Sequence, residues 1–183
     1  MPVTATGEVQ YTKEQVDACV RRHAATIYRY YRALGVQELW LLICLQGAMY
    51  YGVDVSRAIR RLDPAEELPL GVDVTYYTRY GNETTGAKVE VIIPIPAHLA
   101  GKHVLVIEDI IEGGVTLKAI LDDLAVIGPA SINLAVLTMK PGLQEVELPA
   151  PLVTPLEVTG WVEGAGLDTA KRRRELPHLQ RRA

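Results

Sequence analysis

Residues 104–117 read VLVIEDIIEGGVTL. Val104 to Ile107 are apolar and mostly β-branched, which suits a strand buried on both faces. Glu108 and Asp109 follow, then two isoleucines, Glu112, Gly113, Gly114, Val115 and Thr116. Beyond them TLKAILDDLAVIG reads as a helix closed by Gly128. The order strand, acidic glycine turn, helix sets three carboxylates at the C-terminal end of a strand. That is the end at which parallel sheets bind ligands. Gly113 and Gly114 allow amide N–H groups to turn inward as an anion nest at the helix start, and Thr116 adds a hydroxyl. The pattern suits a phosphate in the loop with carboxylates beside it for sugar hydroxyls. The plain alternative is an acidic strand-to-helix turn that happens to be rich in glycine.

Outward from this stretch, helices and strands alternate. Thr12 and Gln15 fit a capping box, with Tyr11 and Val16 as its staple, and the helix they open runs to about Leu34 before Gly35. LWLLICL, residues 39–45, is a short apolar strand, and GAMYYGVDVSRAIRRL a helix. A strand over Val72 to Arg79, the alternating KVEVIIP and the strand SINLAVLTMK complete the series. Such alternation predicts an α/β fold: a mainly parallel, twisted sheet flanked by helices. The 183 residues suffice for one domain, and an apolar fraction of 49% allows a full core. A net charge of -3 argues against a general nucleic-acid binder. Cys19 and Cys44 read as reduced core residues. No apolar run approaches the roughly 20 residues that span a bilayer. The start, MPVTATGEVQYTKEQ, lacks the basic and apolar regions of a signal peptide. A soluble, cytoplasmic protein is expected.

VLVIEDIIEGGVTL resembles the phosphoribosyl-pyrophosphate (PRPP) motif of the type I phosphoribosyltransferases, and its leading Glu-Asp pair resembles the hypoxanthine–guanine branch. LLICLQGAMYYGVDVSRAI is similar to that family's first strand, pyrophosphate loop and helix. VTYYTRYGNETTGAKVEV is similar to its mobile catalytic loop, with Arg79 and Tyr80 where a Ser-Tyr pair usually stands. WVEGAGLDTAKRRRELPHL is similar to its purine-binding segment. The resemblance covers nearly the whole chain. It implies one phosphoribosyltransferase domain: a core over about 36–140 and a base-binding hood from about 1–35 and 141–183. It implies transfer of the phosphoribosyl group of PRPP to hypoxanthine or guanine, with release of pyrophosphate, in purine salvage. Mg²⁺ would be the cofactor, and the chain would form homodimers or homotetramers.

By the same resemblance, Glu108 and Asp109 bind the ribose hydroxyls. The loop of Glu112, Gly113, Gly114, Val115 and Thr116 holds the 5′-phosphate, with Glu112 as the base that takes the purine N7 proton. Gln46 and Gly47 form the pyrophosphate loop, and Arg174 helps hold pyrophosphate. Trp161 stacks on the purine and Val162 offers backbone hydrogen bonds to it. Asp168, with Glu108 and Asp109, stands near the metal. Trp161 also reads as a core aromatic, and most of KRRRELPHLQRR as a solvated basic tail. His178 reads as a surface residue, and His23 receives no role.

Four positions depart from the family. Glu112 replaces its Asp, setting the carboxylate about one methylene further out, and geometry governs proton transfer before pKa does. Gly113 replaces a Thr, and Gln46 a Lys. A gapless alignment puts Pro149 where the family has a lysine donating to the purine 6-oxygen. Lys140, in TMKPG, is a candidate to reach in as the missing donor, although its position matches a different family lysine near a strand end. Two other readings therefore stand beside salvage: a phosphoribosyltransferase for another base, and a non-catalytic PRPP- or nucleotide-binding regulator.

Overall fold

The structure, a computed structural model, describes residues 7–80 and 88–182; the Tyr80 side chain and residues 81–87, which carry most of the expected catalytic loop, lie outside the described residues. Two sheets organise the chain. The larger has six strands, formed by β2 (Leu39–Cys44), β3 (Leu70–Tyr80), β4 (Lys88–Ile93), β5 (His103–Ile111), β6 (Ser131–Met139) and β7 (Leu156–Glu157), in the order β4-β3-β2-β5-β6-β7. All its pairings are parallel except β3 with β4. The smaller sheet is antiparallel and joins the chain's two ends, β1 (Glu8–Tyr11) and β9 (Leu179–Arg181), to β8 (Val162–Glu163).

Among the described residues, three α-helices, α1 (Lys13–Ala33), α2 (Ala48–Leu62) and α3 (Val115–Ile127), and a 3-10 turn over Ala97–Leu99 complete the fold. Thr12 caps α1 through the reciprocal capping box with Gln15 that the sequence predicts, and the chain leaves it at Gly35 with a left-handed φ of 68°. α1 packs on α2 and β6, α2 on β2 and β5, and α3 on β3 and β4. Successive strand residues point to opposite faces. Leu41, Leu42 and Ile43, like Val104 through Ile107, are all buried, so the central strands are covered on both sides. No described helix is long and apolar enough to cross a membrane. Cys19 and Cys44 are buried free thiols.

The crossovers set the position of the cleft. β2 leads through α2 to β3, on one side; β5 leads through α3 to β6, on the other. Right-handed connections therefore put α2 and α3 on opposite faces. The neighbours β2 and β5 form a topological switch point, and a crevice opens between their C-terminal ends. The β2–β5 ladder stops at Ile43 opposite Ile107, whereas β5 runs on beside β6 to Ile111. Glu108 and Asp109 thus lie where β5 has lost its β2 neighbour.

Candidate active site

A cleft of about 760 Å³ opens at this switch point. Gln46, Gly47, Arg79, Glu108, Asp109, Glu112, Gly113, Gly114, Val115, Thr116, Trp161, Val162, Asp168 and Arg174 all line it. Of the residues singled out in the sequence, Tyr80 alone falls outside the described side chains.

The floor is the acidic pair. The Asp109 backbone N–H donates to Glu108 Oε1 at 2.9 Å, and Thr138 Oγ1 donates to the Asp109 carbonyl at 2.8 Å. Burial, followed by the neighbouring Asp109 charge, pushes the Glu108 carboxyl well above the usual carboxylate range. Burial raises Asp109 as well, against the downward pull of the Arg174 guanidinium. Beneath them the buried Cys44 thiol is pushed up by desolvation and by both carboxylates.

α3 begins at this floor. Its N-cap, Gly114, has φ 84°, a left-handed conformation that glycine adopts without strain. No side chain caps the helix, so its first amides face the cleft as donors for an anion. Opposite stands the pyrophosphate-loop stretch, entered through a cis peptide between Leu45 and Gln46. Gly47 admits no side chain: an added Cβ would fall 1.5 Å from Asp109 Oδ2 and 3.1 Å from Arg174 Nη1.

The C-terminal segment closes over that loop. A Cβ on Gly166, whose φ is +105°, would sit 2.1 Å from the Gly47 carbonyl oxygen. Arg174 donates to the Gly166 carbonyl at 2.6 Å and pairs with Asp168 at 2.5 Å. Arg174 is thus fixed beside Gly47 and Asp109, apart from the solvated tail around it. Trp161 is 58% exposed and lines the cleft, so it is no core aromatic. Its indole N–H donates to Thr169 Oγ1 at 2.9 Å. Val162 is held in β8 against Arg181.

The far wall holds Lys140 and not Pro149. Pro149 is exposed and is not part of the cleft lining. Lys140 is, at 9% exposure, with its Nζ 2.8 Å from Glu112 Oε1. Ile111 pairs with Met139 in the β5–β6 ladder, so the next residue of each strand, Glu112 and Lys140, emerges side by side. The signal was present: Lys140 ends a central parallel strand, at the sheet edge where Glu108 and Asp109 also stand. Glu145 and Tyr77 also line the cleft and were not singled out in the sequence. Glu145 donates its backbone N–H to the Gly113 carbonyl at 2.9 Å, and Tyr77 donates to Asp123 on α3 at 2.7 Å.

Asp168 pairs with Arg174 at 2.5 Å and lines the same cleft as Glu108 and Asp109. Among the described residues no three His, Cys, Asp or Glu side chains gather as a metal site. Two adjoining, partly buried carboxylates that line the cleft suit a hard divalent cation that takes one or two protein oxygens and the rest from substrate and water, which is the habit of Mg²⁺.

Comparison with known proteins agrees with this geometry. Residues 11–169 match the family described as phosphoribosyl transferase domain. The hypoxanthine phosphoribosyltransferase of Haemophilus influenzae is 30% identical over 173 residues, 94% of this chain and 93% of that protein. The hypoxanthine-guanine phosphoribosyltransferase of Leishmania donovani is 30% identical over 90% of this chain and 78% of its own. Among solved structures, a hypoxanthine-guanine phosphoribosyltransferase from Bacillus anthracis matches with a TM-score of 0.82 at 26% identity, covering 96% of this chain and 98% of that one. Fold, cleft and relatives coincide, and the chain belongs to the phosphoribosyltransferase family, in its hypoxanthine–guanine branch.

Proposed function

We propose that this protein transfers the 5-phosphoribosyl group of PRPP to a 6-oxopurine, hypoxanthine or guanine, with release of pyrophosphate, as a step of purine salvage. The observation that carries this reading is the Glu112–Lys140 pair: an acceptor and a donor 2.8 Å apart on one wall of the cleft. A 6-oxopurine presents O6 and N7 side by side on one edge, and a cation beside O6 is a common way of reading it. Lys140 donates to O6 while Glu112 takes the N7 proton as N9 attacks C1 of the ribose. Adenine would instead turn its 6-amino donor toward the ammonium group. Lys140 thereby supplies a donor where Pro149 offers none, which supports a 6-oxopurine over another base, and the retained carboxylate at 112 weighs against a regulator without turnover.

The rest of the lining completes the reaction. Trp161 stacks on the base, and Val162 bonds its edge through the backbone. Glu108 and Asp109 hold the ribose hydroxyls, and the amides of 113–116 with Thr116 hold the 5′-phosphate. Gln46, Gly47 and Arg174 hold pyrophosphate. The transition state is ribosyl and cation-like, so positioning and charge do most of the catalysis. Glu108, Asp109 and Asp168 are the residues that would hold Mg²⁺ together with PRPP, and the ion would supply charge neutralisation of the leaving pyrophosphate. The PRPP half belongs to the core over about 36–140 and the base half to the hood of about 1–35 and 141–183. We further propose a cytoplasmic homodimer or homotetramer; Met49 and Tyr50, exposed on the first turn of α2, supply part of an interface.

The test is pyrophosphate release from PRPP and Mg²⁺ with hypoxanthine, guanine, xanthine, adenine, uracil and orotate, one base at a time. Turnover with hypoxanthine or guanine is expected. Turnover confined to another base moves the assignment there. Silence on every base, with PRPP still bound, makes this a binding protein.

A further inference from the structure

We infer, on the basis of the phosphoribosyl-transfer reading, that Arg79 is a PRPP-binding residue that Glu145 holds until the substrate arrives. Three cations line the described cleft (Arg79, Lys140, Arg174) against five carboxylates (Glu108, Asp109, Glu112, Glu145, Asp168), a formal charge of 3 − 5 = −2. A polyphosphate entering this cleft needs a cation that can change partners. Lys140 is committed to Glu112 at 2.8 Å with only 11% of its side chain exposed. Arg174 is committed to Asp168 at 2.5 Å and to the Gly166 carbonyl at 2.6 Å.

Arg79 is held differently. Its guanidinium meets Glu145 at 3.3 and 3.5 Å, and the two side chains are 44% and 54% exposed. A long, solvated pair of this kind contributes little. A guanidinium exchanging a carboxylate for a phosphate gains short, charge-assisted, bidentate bonds. Glu145 is placed to act as the resident anion. Its backbone is tied to Gly113, and its carboxyl fills the room beside that residue: a Cβ at 113 would lie 2.4 Å from Glu145 Oε1. The missing side chain at 113 is therefore what admits Glu145 to the edge of the phosphate loop. The same exchange offsets the neutral Gln46. The pyrophosphate loop carries no side-chain cation, and β3, which runs on past the end of β2 beyond the Leu45 N–H to Thr75 carbonyl bond of 2.8 Å while still paired with β4, delivers one from the adjacent wall.

Calorimetry with PRPP and Mg²⁺ tests the exchange on the full chain and on Arg79→Ala, Arg79→Lys and Glu145→Gln. Arg79→Ala should weaken PRPP about tenfold, Arg79→Lys should recover part of the loss, and Glu145→Gln should tighten binding a few-fold by freeing the guanidinium. An ion pair that only supports the fold moves Arg79→Ala and Glu145→Gln in the same direction, in affinity and in melting temperature alike. That result, or an Arg79→Ala affinity equal to wild type, overturns the inference. A wild-type chain that binds PRPP but turns over no base overturns the salvage reading and leaves the exchange measurable; one that binds no PRPP overturns both.

Discussion

In the proposed reaction, two residues choose the base. Glu112 is reached by one strand and Lys140 by its neighbour, and their side chains meet at 2.8 Å on the cleft wall. Glu112→Ala should lower turnover by roughly 10²–10⁴-fold while leaving PRPP affinity within a few-fold of wild type, by single-turnover kinetics and calorimetry. Lys140→Ala should weaken hypoxanthine by roughly 10–100-fold and narrow the preference over adenine, since a charged hydrogen bond is lost. Thr169 is a positioning residue, because it fixes the plane of an indole that is otherwise exposed. Thr169→Ala should raise the KM for the base severalfold with kcat nearly constant. In a Trp161→Phe background, where no ring N–H exists, the same change should do nothing.

At the scale of elements, the cleft is a meeting of three segment ends: β2 into α2, β5 into α3, and the C-terminal segment laid across them. Glycines make the approach possible. Gly166 meets the Gly47 carbonyl so closely that any side chain must push the C-terminal segment away from the pyrophosphate loop. Gly166→Ala should cost roughly 1–3 kcal/mol, a fall in melting temperature of roughly 2–12 °C, together with most of the activity. Gly128 is the control. It closes α3 at φ 77° with nothing within 4 Å of an added Cβ, so Gly128→Ala should lose stability through backbone strain alone and keep its kinetics.

At the scale of the molecule, His23 joins parts far apart in the chain. From α1 it contacts Tyr51 Oη on α2 and the Thr154 carbonyl ahead of β7, each at 2.8 Å. A neutral ring fits both: Nε2–H donates to the carbonyl, and Nδ1 accepts from the tyrosine. Burial, followed by the nearby Arg22 charge, pushes the imidazole below its ordinary pKa, with the Thr154 bond opposing. The unfolded chain takes up this proton near pH ~6.5 and the folded chain resists it. Stability from His23 is therefore full above ~6.5 and falls as pH drops toward the folded value. The melting temperature of wild type should fall more between pH 7 and pH 5 than that of His23→Gln.

What the sequence by itself determined was local. Thr12 with Gln15 specifies the start of α1, apolar β-branched runs specify β2, β5 and β6, and the acids and glycines after Ile107 specify the phosphate end of the sheet. These signals are carried by neighbours in the chain, so they can be read without knowing the fold. The tertiary structure decided what depends on distance. Glu8 pairs with Arg181 only because both chain ends return to one small sheet, and neither β1 nor β9 carries a run long enough to announce itself. Residues 141–178 have little periodicity, so neither the exposure of Pro149 nor the contact of Glu145 with Gly113 could be read along the chain. Lys140 stands beside Glu112 because strand register, a property of two segments together, sets it there.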